Sequence, residues 1–196
     1  MNFERWRHYA RGWLLHFIGR ESQAYGEFAE AFKSDPNDVQ SARHLAAIAA
    51  NRKRYDVAER WFEKALTLAP QDASNWFNLA FVRERAGMAA EALVAFAEAV
   101  RYNPNLDRAW YGMGLAHARL GQHGEAAAAL EHAVALQPMN GEGWYQLGMA
   151  YHHANLPDKV RHAVVRLVDF EPKRAKKLVR DAGRSDLMVL IPELPF

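Results

Sequence analysis

An all-α array of antiparallel helix pairs, stacked one on the next, is predicted by three observations on this chain of 196 residues. Trp76, Trp110 and Trp144 recur every 34 residues, and Pro36, Pro70, Pro104, Pro138 and Pro172 keep that period four times in succession. Ala24, Ala58, Ala92 and Ala126 share it, as do Phe28, Phe62, Phe96 and Leu130, and Ala31, Ala65, Ala99 and Ala133, with Val160, Val164 and Leu167 in the fifth place. Within a period the apolar residues fall at helical spacing: Trp110, Met113, Gly114 and His117 stand at i, i+3, i+4 and i+7, one face of a helix. A unit repeated at this period cannot bury its apolar face alone and must stack on its neighbours.

Each unit reads as a helix A followed by a helix B. The first pair is expected at 3–18 and 20–34, turning on Gly19. Its B helix is in register through Ala24, Phe28, Ala31 and Pro36, but counting back puts His8 and Arg11 where Trp and Leu belong. Trp6, Tyr9, Ala10 and Trp13 fit the pattern if two residues are inserted before Gly19. The insertion is preferred, because burying an unpaired Arg11 is costly. The second pair, 38–51 and 54–68, has Lys53 at its turn, where the other units carry Gly or Asn. A different turn is expected there, since a left-handed helix end favours glycine. The third pair (72–86 and 88–102) turns on Gly87, the fourth (106–120 and 122–136) on Gly121, and the fifth (140–154 and 157–170) on Asn155. Ala46, Ala80, Gly114 and Gly148 are the small residues that let two helix backbones approach. Asp38, Asp72 and Asn140 are candidate caps for the A helices. Each periodic Pro closes a B helix, because the residue before it disfavours helix.

Pro172 opens "PKRAKKLVRDAG", a further amphipathic helix over 173–184 with Leu178, Val179 and Ala182 inside. An array of this kind needs a last element that is apolar inside and polar outside, so its basic run is read as a solvated capping face. The remaining stretch, "SDLMVLIPELPF" over 185–196, is apolar, and Pro192 and Pro195 forbid a regular helix beyond them. It is expected to be docked and extended. Covering the fifth unit is favoured over entering a groove through Glu193, Leu194 and Phe196.

Composition excludes several chemistries. There are no cysteines, which removes disulfides, thiolate metal sites and cysteine nucleophiles together and suits a reducing compartment. A cytoplasmic location is expected. The net charge of +2 conceals basic ends, with four Arg against one Glu in residues 1–20 and six Lys and Arg against one Asp in 173–184. "WLLHFI", from Trp13 to Ile18, is too short for a signal-peptide core or a membrane span. Arg5, Arg7 and Arg11 beside Phe3, Trp6 and Trp13 leave an interfacial membrane helix open, although a repeat helix with its apolar stripe buried is favoured. The basic run lacks the interleaved aromatics on which nucleic-acid strands stack, and no nucleic acid is expected as a partner. Of nine His, none falls in His-Glu-x-x-His, and there is neither a phosphate-binding Gly-rich loop nor a nucleophile elbow. His117, His152 and His153 invite a metal, but no carboxylate joins them at ligand spacing. No metal, cofactor or catalytic activity is expected.

A period of 34 with Trp, Leu, Gly, Tyr, Ala, Phe, Ala and Pro at fixed offsets closely resembles the tetratricopeptide repeat family, over nearly the whole chain. The resemblance implies a right-handed superhelical solenoid over residues 1–184, with units near 3–36, 37–70, 71–104, 105–138 and 139–172, the capping helix at 173–184 and the tail at 185–196. It also implies a non-catalytic scaffold or adaptor whose A helices line a concave groove for an extended or helical segment of a partner. Carried over position by position, the groove residues are Arg43, Phe77, Asn78, Phe81, Arg85, Arg108, Tyr111, Arg119, Tyr145, Met149 and His152. Four aromatics and a set of Arg suit apolar anchors and acidic groups, so the partner is expected to be an acidic protein or peptide, the chain itself being a monomer or weak homodimer. Some members hold a chaperone's terminal carboxylate with Lys, Asn, Asn, Lys and Arg. Here Arg43, Asn78 and Arg108 match in part, while Ala47 and Gly112 replace the other two, so no carboxylate clamp is read. The rival reading is a peripheral membrane-associated or self-oligomerising assembly factor acting through the helix at 3–18.

Overall fold

The computed structural model describes residues 3–192. Of the expected tail contacts, those of Glu193, Leu194, Pro195 and Phe196 lie outside the described residues. The chain forms two compact units, the first ending at Tyr102 and the second beginning at Asn103.

The first unit contains α1 (Phe3–Phe17), α2 (Glu21–Ser34), α3 (Val39–Asn51), α4 (Tyr55–Leu68), α5 (Ala73–Arg85) and α6 (Ala89–Tyr102). Each helix packs on the next in chain order. The second unit contains α7 (Asp107–Arg119), α8 (His123–Leu136), α9 (Gly141–His153), α10 (Pro157–Phe170), α11 (Pro172–Asp181) and a 3-10 helix, Ser185–Leu190. Its α7 to α11 pack consecutively, and α11 also lies against α9 as a further A helix would. The final helix thus runs 172–181 rather than 173–184. No strand occurs among the described residues.

The periodic residues are the core. Ala24, Phe28, Ala31, Leu45, Ile48, Leu79 and Val82 are buried in the first unit, and Leu130, Leu147, Val160, Val164, Leu167 and Leu178 in the second. Each large side chain so buried contributes roughly 1.5–3 kcal/mol. Three A helices start on side-chain caps. Asp38 accepts from the amide of Gln40 at 3.2 Å, Asp72 from Ser74 at 2.9 Å, and Asn140 from Gly143 at 3.1 Å. The constant spacing of Pro and Trp also has a cause. The indole Nε1 of Trp76 donates to the carbonyl of Pro70 at 2.8 Å, that of Trp110 to Pro104 at 2.8 Å, and that of Trp144 to Pro138 at 2.9 Å. In the first unit the bond ties the end of α4 to the start of α5, and in the second the end of α8 to the start of α9.

Three expectations are corrected. First, α1 carries no insertion. Gly12, and not Ala10, takes the small place in line with Ala46, and a Cβ on it would meet the Phe28 ring at 3.0 Å. The burial penalty that argued for an insertion does not arise, because Arg11 is exposed. His8 stands at the Trp place and its Nδ1 lies 2.6 Å from the Glu27 carboxylate. Second, Lys53 takes the same turn as the glycines, with φ +58. Its amide bonds the Ala50 carbonyl at 2.9 Å, as the Gly121 amide bonds Ala118 at 3.0 Å. Third, residues 185–190 are not extended. The Arg184 guanidinium pairs with Asp186 at 2.7 Å, the Leu187 amide closes a turn on the Arg184 carbonyl at 2.9 Å, and Leu187 is buried.

The strained turn yields a prediction. A left-handed residue with a Cβ costs roughly 1–2 kcal/mol, whereas a glycine costs about 0.5–1 kcal/mol of extra chain entropy. Lys53→Gly is therefore expected to stabilise the protein by about 0.5–1 kcal/mol, read as a higher urea midpoint at unchanged m. A lower midpoint would show that the Lys53 side chain supplies a contact worth more than the strain.

Candidate functional site

In the first unit the A helices are α1, α3 and α5. Arg43 on α3 is half-buried and reaches Asp72 at 3.5 Å, so part of its charge is answered within the unit. Beside it on the same helix, Gln40 is exposed and the small Ala47 and Ala50 are half-buried. On α5, Phe77 leans inward, its ring 6.1 Å from that of the core residue Phe96. Asn78 is half-buried. Phe81 points outward, 47% exposed, with the Arg85 guanidinium 6.0 Å from its ring centre. That distance is at the limit of a cation–π contact, and it keeps an apolar disc and a positive charge side by side.

With Gly12 in the small place, α1 supplies further residues to this face. Counting back one and two periods from the α3 and α5 positions places Trp6, Tyr9, Ala10, Trp13, His16 and Phe17 on the matching face of α1. Trp6, Trp13 and Phe17 are more than half exposed. The signal was present in Gly12, which keeps the period of the small residues. His44 lies between α1 and the core, stacked on Phe28 at 4.3 Å, and its Nε2 is hydrogen-bonded with the Tyr9 hydroxyl at 3.2 Å. Burial, with His16 next, pushes the His44 imidazole below its usual range. It is therefore harder to protonate than a free histidine.

In the second unit the A helices are α7, α9 and α11. Arg108 and Arg119 are exposed at the two ends of α7, and Tyr111 between them is half-buried. Burial, followed by the Glu142 carboxylate, raises the Tyr111 phenol. On α9, the Tyr145 hydroxyl donates to Asp181 at 2.8 Å and its ring lies under the Lys177 ammonium at 4.2 Å. The basic helix α11 thus borders this face. Its Arg174 is bound by Glu142 and Glu171. Met149 is half-buried and lines a cavity of about 290 Å³ with Leu115, Ala118, Tyr145 and His153. His152 is exposed, 5.1 Å from the His153 ring, which stacks on His123 at 4.8 Å. Burial first, then the two neighbouring histidines, lowers the His153 imidazole. His117 is held elsewhere, by Gln122 at 2.7 Å. Among the described residues no group of three His, Cys, Asp or Glu is placed to hold a metal ion. No helix among them is long and apolar enough to cross a membrane.

Two family models match the chain, both described as tetratricopeptide repeat, over residues 9–73 and 107–140. Several solved structures are similar in fold. The crystal structure of MamA protein has a TM-score of 0.79 at 20% identity, covering 100% of this chain and 99% of that one. YrrB, described as a TPR protein with an unusual peptide-binding site, has a TM-score of 0.77 at 19% identity, over 88% of this chain and 90% of its own. PilW, a type IV pilus biogenesis factor, has a TM-score of 0.71 at 22% identity, over 94% of this chain and 89% of its own. At these identities the likeness is one of fold. No curated protein matches in sequence.

Proposed function

This chain belongs to the tetratricopeptide repeat family, and from that premise we propose that it is a non-catalytic scaffold whose A-helix faces bind an acidic, extended or helical segment of a partner protein. Proteins of this fold serve as protein–protein interaction scaffolds. The observation that carries the finer reading is the pairing of an exposed aromatic with a positive charge, as in Phe81 beside Arg85. Aromatic anchors and arginines are the groups that dominate binding energy at interfaces. The exposed Arg108 and Arg119 of the second unit repeat the positive sign on its A-helix face. The peptide-binding site printed for YrrB supports a peptide as the ligand class. A cytoplasmic site of action fits the absence of cysteine.

The test is affinity purification of the native complex with mass spectrometry, followed by binding measurements on Arg43→Glu/Arg108→Glu/Arg119→Glu. Removing one partner of a partly buried charged contact costs on the order of 2 kcal/mol or more, so the variant is expected to lose the acidic segment outright. A variant that melts like the wild type and binds as tightly sinks the charge argument. A variant that fails to bind but also melts early, through loss of the Arg43–Asp72 bridge, is separated by testing Arg108→Glu/Arg119→Glu alone.

A further inference from the structure

The first helix is apolar on both sides. Its inner side holds Gly12 against Phe28 and Tyr9 against His44. Its outer side exposes Phe3, Trp6, Trp13, Leu14, Phe17 and Ile18, each more than half accessible. Four of the six are aromatic, each presenting about 150–250 Å² when free, and with Leu14 and Ile18 the six expose on the order of 700 Å². The largest apolar patch on a typical monomer is about 300–600 Å². A patch this size on a single helix requires an occupant.

The spacing says what kind. Phe3, Trp6, Ala10, Trp13 and Phe17 fall at i, i+3, i+7, i+10 and i+14. That is the alternating three-and-four seam along which two helices wind together. Laid antiparallel, one copy's seam can meet the other's with a large residue set against a small one. A two-fold axis near Arg11 and Gly12 sets each Trp13 over the other copy's Ala10 and each Trp6 over the other copy's Phe17, with Phe3 at the open end of the seam. The small Ala10 leaves the hollow that the indole fills. The rings are already paired within each helix, Trp13 stacked on Phe17 at 5.7 Å and Phe3 tilted on Trp6 at 6.5 Å. Covering both patches whole buries up to about 1,400 Å² in all, against the range of about 1,200–2,000 Å² that stable pairs need. The same surface on both partners is the isologous contact that two-fold dimers use.

We infer that the protein is a homodimer, joined through an antiparallel seam of two α1 helices. The seam takes the α1 part of the A-helix face for a second copy and leaves the partner segment to α3, α5, α7 and α9. Because it uses none of Arg43, Arg85, Arg108 or Arg119, the arginine variants still dimerise if it is right, and its failure is told apart from that of the partner-binding reading.

Light scattering across a concentration series tests it on the full chain. The expected mass is twice the 22.3 kDa of one chain. Trp6→Ser/Trp13→Ser is expected to be monomeric with the same helix content, its dimer dissociation constant raised at least about thirty-fold per lost anchor. Because the chain has no cysteine, a single one reports without background. Leu14→Cys should be captured as a covalent dimer by a short bismaleimide, whereas Gly26→Cys, on an open face of α2, should not. A chain that is monomeric at every concentration overturns the inference. So does a dimer that survives the double Trp variant, or equal cross-linking at both cysteines. Phosphatidylserine vesicles separate the remaining occupant: a monomer that sediments with them through Trp6 and Trp13 assigns the face to a lipid surface and refutes the dimer.

Discussion

Gly114→Leu is expected to lower the unfolding free energy by about 2 kcal/mol, whereas Gly124→Ala, ten residues on, leaves it unchanged or raises it. A Cβ on Gly114 would stand 2.6 Å from the Leu130 Cγ, 3.0 Å from its Cδ2 and 3.2 Å from the Ala126 carbonyl oxygen. The Leu130 side chain is buried among α8 and α9 residues and has little room to swing. The carbonyl belongs to the α8 backbone. Accommodating Leu therefore means moving one helix away from the other, and overpacking of this kind costs about 1–3 kcal/mol, occasionally more. The better helix propensity of Leu returns at most about 1 kcal/mol. Gly124 meets nothing within 4 Å and lies in the first turn of α8 with no positive φ. Alanine there removes freedom from the unfolded chain and is worth about 0.4–1 kcal/mol. Urea denaturation of the two variants checks the pair. Equal midpoints would mean that Gly114 is not the close-approach position of its repeat.

What the sequence carried, and what it did not, follows from the kind of interaction involved. Repeated positions are legible because each repeat solves the same packing problem. Ala24, Ala58, Ala92 and Ala126 are all fully buried, and one rule finds all four. The caps Asp38, Asp72 and Asn140 were legible because a helix start needs a local acceptor. The turn at Lys53 departs from the glycine preference for a general reason. The turn is imposed by the two helices it joins, and their packing overrides the preference of one residue. The register of α1 is hard to read because Arg11 stands at the place where Leu45 and Leu79 have a buried environment. That environment comes from a helix packed on the same face, and the structure shows Arg11 exposed. The extended tail failed at Arg184 and Asp186, whose ion pair closes a turn that apolar content alone does not announce. The candidate interaction face was legible as a set of helix positions but not as a set of contacts. The bonding of Arg43 to Asp72 and of Tyr145 to Asp181 joins residues 29 and 36 apart, and only the packed helices bring them together.

Phe28→Ala should be among the most damaging single changes in the first unit, costing about 3–5 kcal/mol. Phe28 is fully buried. Its ring stacks on His44 at 4.3 Å, meets Tyr9 edge-on at 5.7 Å and lies 3.0 Å from where a Gly12 Cβ would be. Truncation removes the contacts of α1 and α3 with α2 at one stroke, and neither neighbour can fill the void, one being glycine and the other a histidine. A companion experiment tests the corrected register directly. Gly12→Ala costs the wild type a shift of the Phe28 ring, set against the roughly 0.5–1 kcal/mol that alanine gains over glycine within a helix, whereas in the Phe28→Ala background the same methyl enters a cavity and only the gain remains. The resulting coupling, within the 0.5–3 kcal/mol typical of residues in contact, vanishes if Gly12 and Phe28 do not touch. The titration of His44 gives a second readout. Its imidazole is held below its usual range chiefly by burial, so the unfolded chain takes up a proton at higher pH than the folded one. Stability attached to His44 is therefore present above the ordinary histidine range and is lost as pH falls through it. In Phe28→Ala the cavity hydrates the ring, its pKa moves up towards that of a free histidine in an NMR titration, and this acid sensitivity shrinks. An unmoved His44 resonance would mean that Phe28 does not shield it, and the stacking described here would be wrong.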